Sequence, residues 1–260
     1  MPGYDKEALG RTLDAIDGDL RTAIALSTVY LPASYDASVI GKFDNTYAAH
    51  VLTLARDQLT LAGIGSLARI WDQAADAQSV PAVLAHLRTP DVTAAIVSDR
   101  RTAMLSIMDA EPMASQVKGD DAAKAAIDKM AKRDADAAED EFQKALTALG
   151  KRIDTFIGSG AIQSLRVFRD KVIAHRLEET RAEKTAKAAG VTIEPLKRSD
   201  LQDILEETVG IVTELNAVAR SHHPSFDKFA GVWRAYAGDF WGRVSSEPKA
   251  RPLKDPTQGP

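Results

Sequence analysis

The sequence predicts an all-α protein, a bundle of about eight helices in which one is long and highly charged. Alanine supplies 43 of the 260 residues and aromatics only 6%, an excess of the strongest helix former. No proline occurs between Pro112 and Pro195, and the others mostly sit where connections are expected, at Pro32, Pro81, Pro90, Pro112 and Pro224. Apolar residues recur at three- and four-residue spacing, with no alternating strand pattern and no internal repeat.

The first helix is expected over residues 5–30, with Leu9, Leu13, Ile16, Leu20, Ile24 and Leu26 at helical spacing and Leu31-Pro32 as its stop. A second, 37–61, carries Ile40, Phe43, Tyr47, Val51 and Leu54 on one face. Gly63-Ile64-Gly65 is expected to interrupt it, and Ser66–Asp72 to resume as a short helix. Ser79-Val80-Pro81 reads as an N-cap with proline in the first turn, opening a helix to Leu87, and another follows Pro90 over 91–109. From Gly119 to Leu149 alanine and charge dominate, with Ile127, Met130, Ala138, Phe142, Leu146 and Leu149 as an apolar seam. A helix of that length reaches about 45 Å.

Gly150 and Gly158-Ser159-Gly160 lead into a helix with Ile162, Leu165, Phe168, Val172 and Ile173, which continues into a charged stretch ending at Gly190. Ser199 to Gln202 matches a capping box before the stripe Leu201, Ile204, Leu205, Thr208, Val212 and Leu215. The last helix, 225–242, collects Phe226, Phe229, Trp233, Tyr236 and Phe240, a stripe suited to a core or a dimer interface. These elements form one domain, residues 1–242, and the proline-rich 243–260 is expected to be a disordered tail.

Composition removes several chemistries. With no cysteine there is no disulfide, thiolate metal site or cysteine nucleophile, which suits a reducing cytoplasm. The N-terminal residues lack a leader pattern and no run is apolar enough for a membrane span, so a soluble cytoplasmic protein with no membrane partner is expected. A net charge of -4 denies the chain the global basic field of a dedicated nucleic-acid binder. Phosphate-binding loops, dinucleotide fingerprints, nucleophile elbows and helical zinc motifs are all missing, so neither a cofactor nor a metal is expected.

Five histidines remain. His222-His223 before Pro224 suits a helix C-terminus, and His50 and His86 suit packed or half-exposed positions on amphipathic helices. His175 stands in Phe168-Arg169-Asp170-Lys171-Val172-Ile173-Ala174-His175-Arg176. Arg169 is a fixed cation with a fork of donors, Asp170 an acceptor able to orient a neighbour, and His175 a side chain that exchanges protons near neutrality. Those groups suffice for metal-free phosphodiester cleavage, which needs a 2′-hydroxyl activated, a leaving oxygen protonated and charge on phosphorus stabilised. An Arg followed by His at this spacing is expected about once by chance, but requiring Asp or Asn after the Arg and Ala before the His lowers that to a few per cent. Arg166, Lys171 and Arg176 add a local basic patch that the net charge does not show. The bland alternative is a surface helix with an Arg166/Asp170 pair, and a local pair is expected between Arg69 and Asp72.

The Arg-Asp-Lys-x-x-Ala-His run at 169–175 resembles the signature of the HEPN superfamily, specifically its abortive-infection type U branch. Leu67-Ala68-Arg69-Ile70-Trp71-Asp72 followed by Ser79 to Leu84, and the acidic helix Ser199–Asn216, are similar to that branch too. The resemblance implies a HEPN-like helical bundle that homodimerises and brings two motifs together in a cleft. It further implies a metal-independent endoribonuclease of a toxin–antitoxin, abortive-infection or antiphage system, with Arg169, Asp170 and His175 catalytic, Arg166, Lys171 and Arg176 as RNA contacts, RNA as substrate and an antitoxin protein as a candidate partner. Some relatives carry a modifiable tyrosine two places after the histidine; here that position is Leu177. Residues six apart on a regular helix lie about 120° apart, so Arg169 and His175 need a helix end or a second copy to meet. The other class of reading is a non-catalytic helical interaction module that binds a protein or a nucleotide.

Overall fold

The computed structural model describes residues 5–74, 76–108, 121–174 and 179–246. Among them are ten α-helices, one π-helical turn and no β-strand: α1 (Lys6–Tyr35), α2 (Ala37–Phe43), α3 (Ala48–Ile70), α4 (Val80–Leu87), α5 (Pro90–Met108), α6 (Asp121–Ile157), α7 (Gly160–Phe168), the π turn (Arg169–Ala174), α8 (Arg181–Ala188), α9 (Arg198–Arg220) and α10 (Phe226–Ser246). The all-α class is as predicted.

The main core follows the periodicity. Leu9, Leu13, Ile16, Leu20 and Ile24 of α1 are buried against the C-terminal half of α3, α4, the start of α5, the second half of α6, α7 and α9. In the long helix the buried part of the seam is Phe142, Leu146, Leu149 and Ile153, whereas Met130 is exposed. A second, smaller cluster unites Val39 of α2 with Ala237 and Trp241 of α10, and Val29 of α1 packs on it. Trp241 Nε1 donates to the Val29 carbonyl at 2.9 Å, fastening α10 to α1.

Three expected breaks are absent. α3 runs unbroken through Gly63 and Gly65, because Gly63 is where α3 lies against α1: a Cβ there would sit 3.8 Å from that of Leu26. α6 runs through Gly150 to Ile157, 37 residues or about 55 Å. The Arg88 guanidinium covers Gly150 so closely that a Cβ would lie 2.5 Å from Nη2, and it pairs with Asp154 one turn on. α1 continues past Pro32 to Tyr35, although proline removes one amide donor from the helix.

Other boundaries moved for local reasons. The helix expected over 37–61 divides at Asp44–Tyr47, where Asn45 takes a left-handed φ of 57°. The face predicted there, Ile40, Tyr47, Val51 and Leu54, points largely to solvent. α9 starts at Arg198, because Asp200 and not Gln202 closes the cap, accepting from the Lys197 backbone N–H at 2.8 Å. The charged stretch after the motif is a separate helix, α8, capped by Thr180 and Glu183 in a reciprocal capping box. α10 extends to Ser246, past the expected end at 242. Residues 247–260 of the expected tail lie outside the described residues. No described helix is long and apolar enough to cross a membrane.

Candidate functional site

The motif arginine stands where α7 gives way to the π turn. Such turns shift the backbone to i→i+5 bonding and recur at functional sites. Ser159 caps α7 by accepting from the Ile162 N–H, and Ile162 and Leu165 anchor the helix in the core. Arg169 is thereby carried to the end of α3. Its Nη1 donates to Asp72 Oδ2 at 2.9 Å and its Nε to Asp170 Oδ1 at 2.9 Å. The three side chains are 30%, 33% and 31% exposed, so the cluster sits half in and half out of water. Among the described residues no hydrogen bond reaches Nη2 of Arg169, which carries two further donors.

Asp72 is fixed from its own side. Its Oδ1 accepts from the Ala74 N–H at 3.0 Å, and Trp71 before it is fully buried. Trp71 Nε1 donates to Thr208 Oγ1 of α9 at 2.9 Å, and its ring meets Phe156 of α6 edge-on at 4.9 Å. Arg69 faces the other way, donating to both carboxylate oxygens of Asp19 on α1 and to Ser66 Oγ. The expected Arg69/Asp72 pair therefore does not form: three residues apart on the last turn, the two reach opposite neighbours, α1 and the π turn. Arg-Ile-Trp-Asp acts as a junction that ties α3 to α1, α9, α6 and the motif.

The remaining basic residues are engaged as well. Arg166 Nη2 donates to the Trp71 carbonyl at 3.4 Å, and its expected pair with Asp170 is replaced by Arg169/Asp170. Lys171 Nζ donates to Glu183 Oε1 at 2.5 Å. Among the described residues, two cations, Arg169 and Lys171, thus meet three carboxylates, Asp72, Asp170 and Glu183, while Arg166 meets a carbonyl, so the described part of the predicted basic patch carries acids of its own. His175 and Arg176 lie outside the described residues.

Electrostatics follow this geometry. Burial opposes the charge on Arg169, but hydrogen bonds and fields from Asp170 and Asp72 outweigh it and raise its pKa above the ordinary value. Arg166 moves the other way, because burial and then the neighbouring Arg169 disfavour its charge, with Asp72 and Asp170 only partly compensating. The Lys171 hydrogen bond and the Thr180 N–H hold Glu183 below the usual carboxylate range. The cluster is a guanidinium locked in position and in charge, the arrangement required of a group that must orient an anion without reorganising.

A family model, AbiU2 of the HEPN group, matches residues 6–240. The chain belongs to the HEPN AbiU2 family. Comparison with curated proteins and with solved structures gives no match. The AbiU2 match spans every described helix, from α1 into α10, and both clusters reached from the sequence, Arg69–Asp72 and Arg169–Lys171, fall inside it. Membership suggests an abortive-infection or ribonuclease-like role. In this AbiU2 chain, sequence reasoning missed Asp72 as the partner of Arg169, and Asp19, Thr208 and Glu183 as the residues that fix the surroundings. The spacing singled out Arg69 and Asp72, but their partners lie 50 and 97 positions away.

Proposed function

We propose that this AbiU2 protein is a metal-independent endoribonuclease of a toxin or antiphage system, acting through a composite Arg/His site at a homodimer cleft. In the reaction His175 takes the proton of a 2′-hydroxyl, the alkoxide attacks phosphorus, and the departing 5′-oxygen is protonated by the histidine of the same or the second motif. The products are a 2′,3′-cyclic phosphate and a 5′-hydroxyl. Arg169 clamps the non-bridging oxygens through its Nη2 donors, and Asp170 with Asp72 sets its orientation. The observation that carries this reading is the Arg169 fork, held through Nη1 and Nε by two carboxylates, with no hydrogen bond to Nη2 among the described residues. Arg166, Lys171 and Arg176 are proposed as RNA contacts. Arg169 keeps Asp72 and Asp170 while it binds phosphate, whereas Lys171 would exchange the Glu183 carboxylate for a phosphate.

The test is cleavage of labelled RNA in EDTA, with growth arrest on expression as a parallel readout. Loss of both in Arg169→Ala and in His175→Ala is expected, whereas either variant cleaving or arresting growth like the parent overturns the proposal. One observation favours the second reading, a non-catalytic interaction module: Tyr47 at the N-cap of α3, Val51 and Leu54 on α3, and Tyr236 and Phe240 on α10 are large, hydrophobic and exposed. Absence of cleavage under every condition together with stable capture of a partner protein would favour it.

A further inference from the structure

A cleft of about 740 Å³ lies apart from the motif, between α3 and α10, floored by α1 and bordered by the first half of α9. That volume is typical of a small-molecule site. Its interior is apolar, with Ile24, Ile64, Leu67, Leu205 and Val209, and small residues, Ala23, Gly63 and Ala230, keep it open. It is also long. The α1 residues along it run from Ala23 to Tyr35, twelve steps or about 18 Å of helix.

Three hydroxyls of the lining are biased in one sense. Ser27 and Thr28 both donate to the Ile24 carbonyl, at 2.9 and 2.7 Å, and Thr60 donates to the Arg56 carbonyl at 2.9 Å. A hydroxyl has a single proton, so with those protons committed inside their own helices these oxygens offer a ligand only lone pairs. Glu206 and Asp227 add two carboxylates, against Arg234 as the one basic side chain among the described lining residues. The Gln202 amide, a candidate donor, is turned to Glu206 at 3.1 Å. An elongated, apolar-floored, acceptor-rich and net negative cleft calls for a linear molecule with methylenes in its middle and N–H donors along its length. A compact metal ion does not fit, since no three metal-ligating side chains converge among the described residues.

We propose that this cleft binds a linear aliphatic polyamine, its ammonium groups meeting Glu206, Asp227 and the hydroxyl oxygens of Ser27, Thr28 and Thr60, and its methylenes covering Ile64, Leu67 and Leu205. The test is isothermal titration of the full chain with spermidine at physiological ionic strength, without RNA, so its result is independent of the ribonuclease reading. Octanediol and suberate, of similar length but neutral and dianionic, are titrated in parallel, as is magnesium chloride. Spermidine is expected to bind one-to-one in the micromolar range, octanediol at least about tenfold more weakly, and suberate and magnesium without saturation. Glu206→Gln with Asp227→Asn should weaken spermidine at least about tenfold. Gly63→Leu, which fills the cleft, should abolish binding with helicity retained; should it fail to fold, the double variant at two exposed positions decides. Suberate or octanediol matching spermidine, magnesium saturating the cleft, spermidine affinity unchanged in the double variant, or no saturable spermidine binding would each overturn the proposal.

Discussion

Replacing Asp72 by Asn removes a charge from the Arg169 clamp while keeping the oxygen that accepts from Ala74, so the turn after α3 survives. At the 2.9 Å separation of Nη1 and Oδ2, the bare Coulomb attraction is about 1.4 kcal/mol in water and about 6 kcal/mol at an effective dielectric of 20. Both side chains are about a third exposed, and screening with lost rotamer freedom lowers the net coupling to about 1 kcal/mol. A double-mutant cycle of Asp72→Asn and Arg169→Met, read by urea denaturation, should return that coupling. With a slope of about 2–3 kcal/mol/M, it corresponds to a midpoint change of about 0.3–0.5 M urea. It should shrink in about 1 M salt. The matched cycle of Asp72→Asn with Arg69→Met should show no coupling beyond about 0.3 kcal/mol, because Arg69 is committed to Asp19. Coupling of Asp72 to Arg69 and none to Arg169 would refute the assignment of partners on which the site rests.

Other expectations concern the scaffold. Trp71→Phe should cost about 1–2 kcal/mol, since it leaves the Thr208 oxygen without its donor, and Trp71→Ala about 3–5 kcal/mol, both measured as urea midpoints. Gly150→Ala should fall within about 0.5 kcal/mol of the parent, because Arg88 can swing aside and the helix gains propensity; Gly210→Ala should cost about 1 kcal/mol, because a Cβ there meets Arg152 at 2.7 Å and Arg152 is held by Glu207 and Glu214. Burial is the main cause raising the pKa of Asp17 above 3.8, against the Asn216 hydrogen bond and Arg220. A carboxyl raised in the folded state stabilises fully below its unfolded pKa and loses that contribution as pH rises through the folded value. Relative to Asp17→Asn, wild-type stability should therefore decline from about pH 4 upward and then level; a wild-type advantage that grows with pH would contradict the burial argument.

Much of this protein is legible from spacing alone. Leu13, Ile16, Leu20, Phe142, Leu149, Ile162 and Leu215 are buried where helical periodicity put them, and Ser79 caps α4 as its chemistry requires. Arg169 and Asp170 were marked by residue type, and they are in contact. Glycine was misread at Gly63 and Gly150, because a one-dimensional pattern cannot separate a helix break from a helix that admits a neighbour. What failed at the site was partner choice. Arg69, Asp72, Arg166 and Lys171 were identified, but local rules pair residues three or four apart, whereas here Asp19, Arg169, the Trp71 carbonyl and Glu183 arrive from other elements. The apolar face of α2 and α3 shows the opposite limit. Its periodicity is helical, yet it is exposed among the described residues, so periodicity reports a face that prefers to be covered and not what covers it.

The central claim, that the clamped Arg169 is the phosphate-binding group of an RNA-cleaving site, is tested most directly by single-turnover cleavage of labelled RNA in EDTA by wild type, Arg169→Lys and Arg169→Ala. Loss of a fixed donor to transition-state charge should slow Arg169→Ala by about 10²–10³-fold. Arg169→Lys should recover little, since an ammonium cannot span Asp72, Asp170 and a phosphate at once. Cleavage by Arg169→Ala at the wild-type rate, yielding the same 2′,3′-cyclic phosphate ends, would contradict the account.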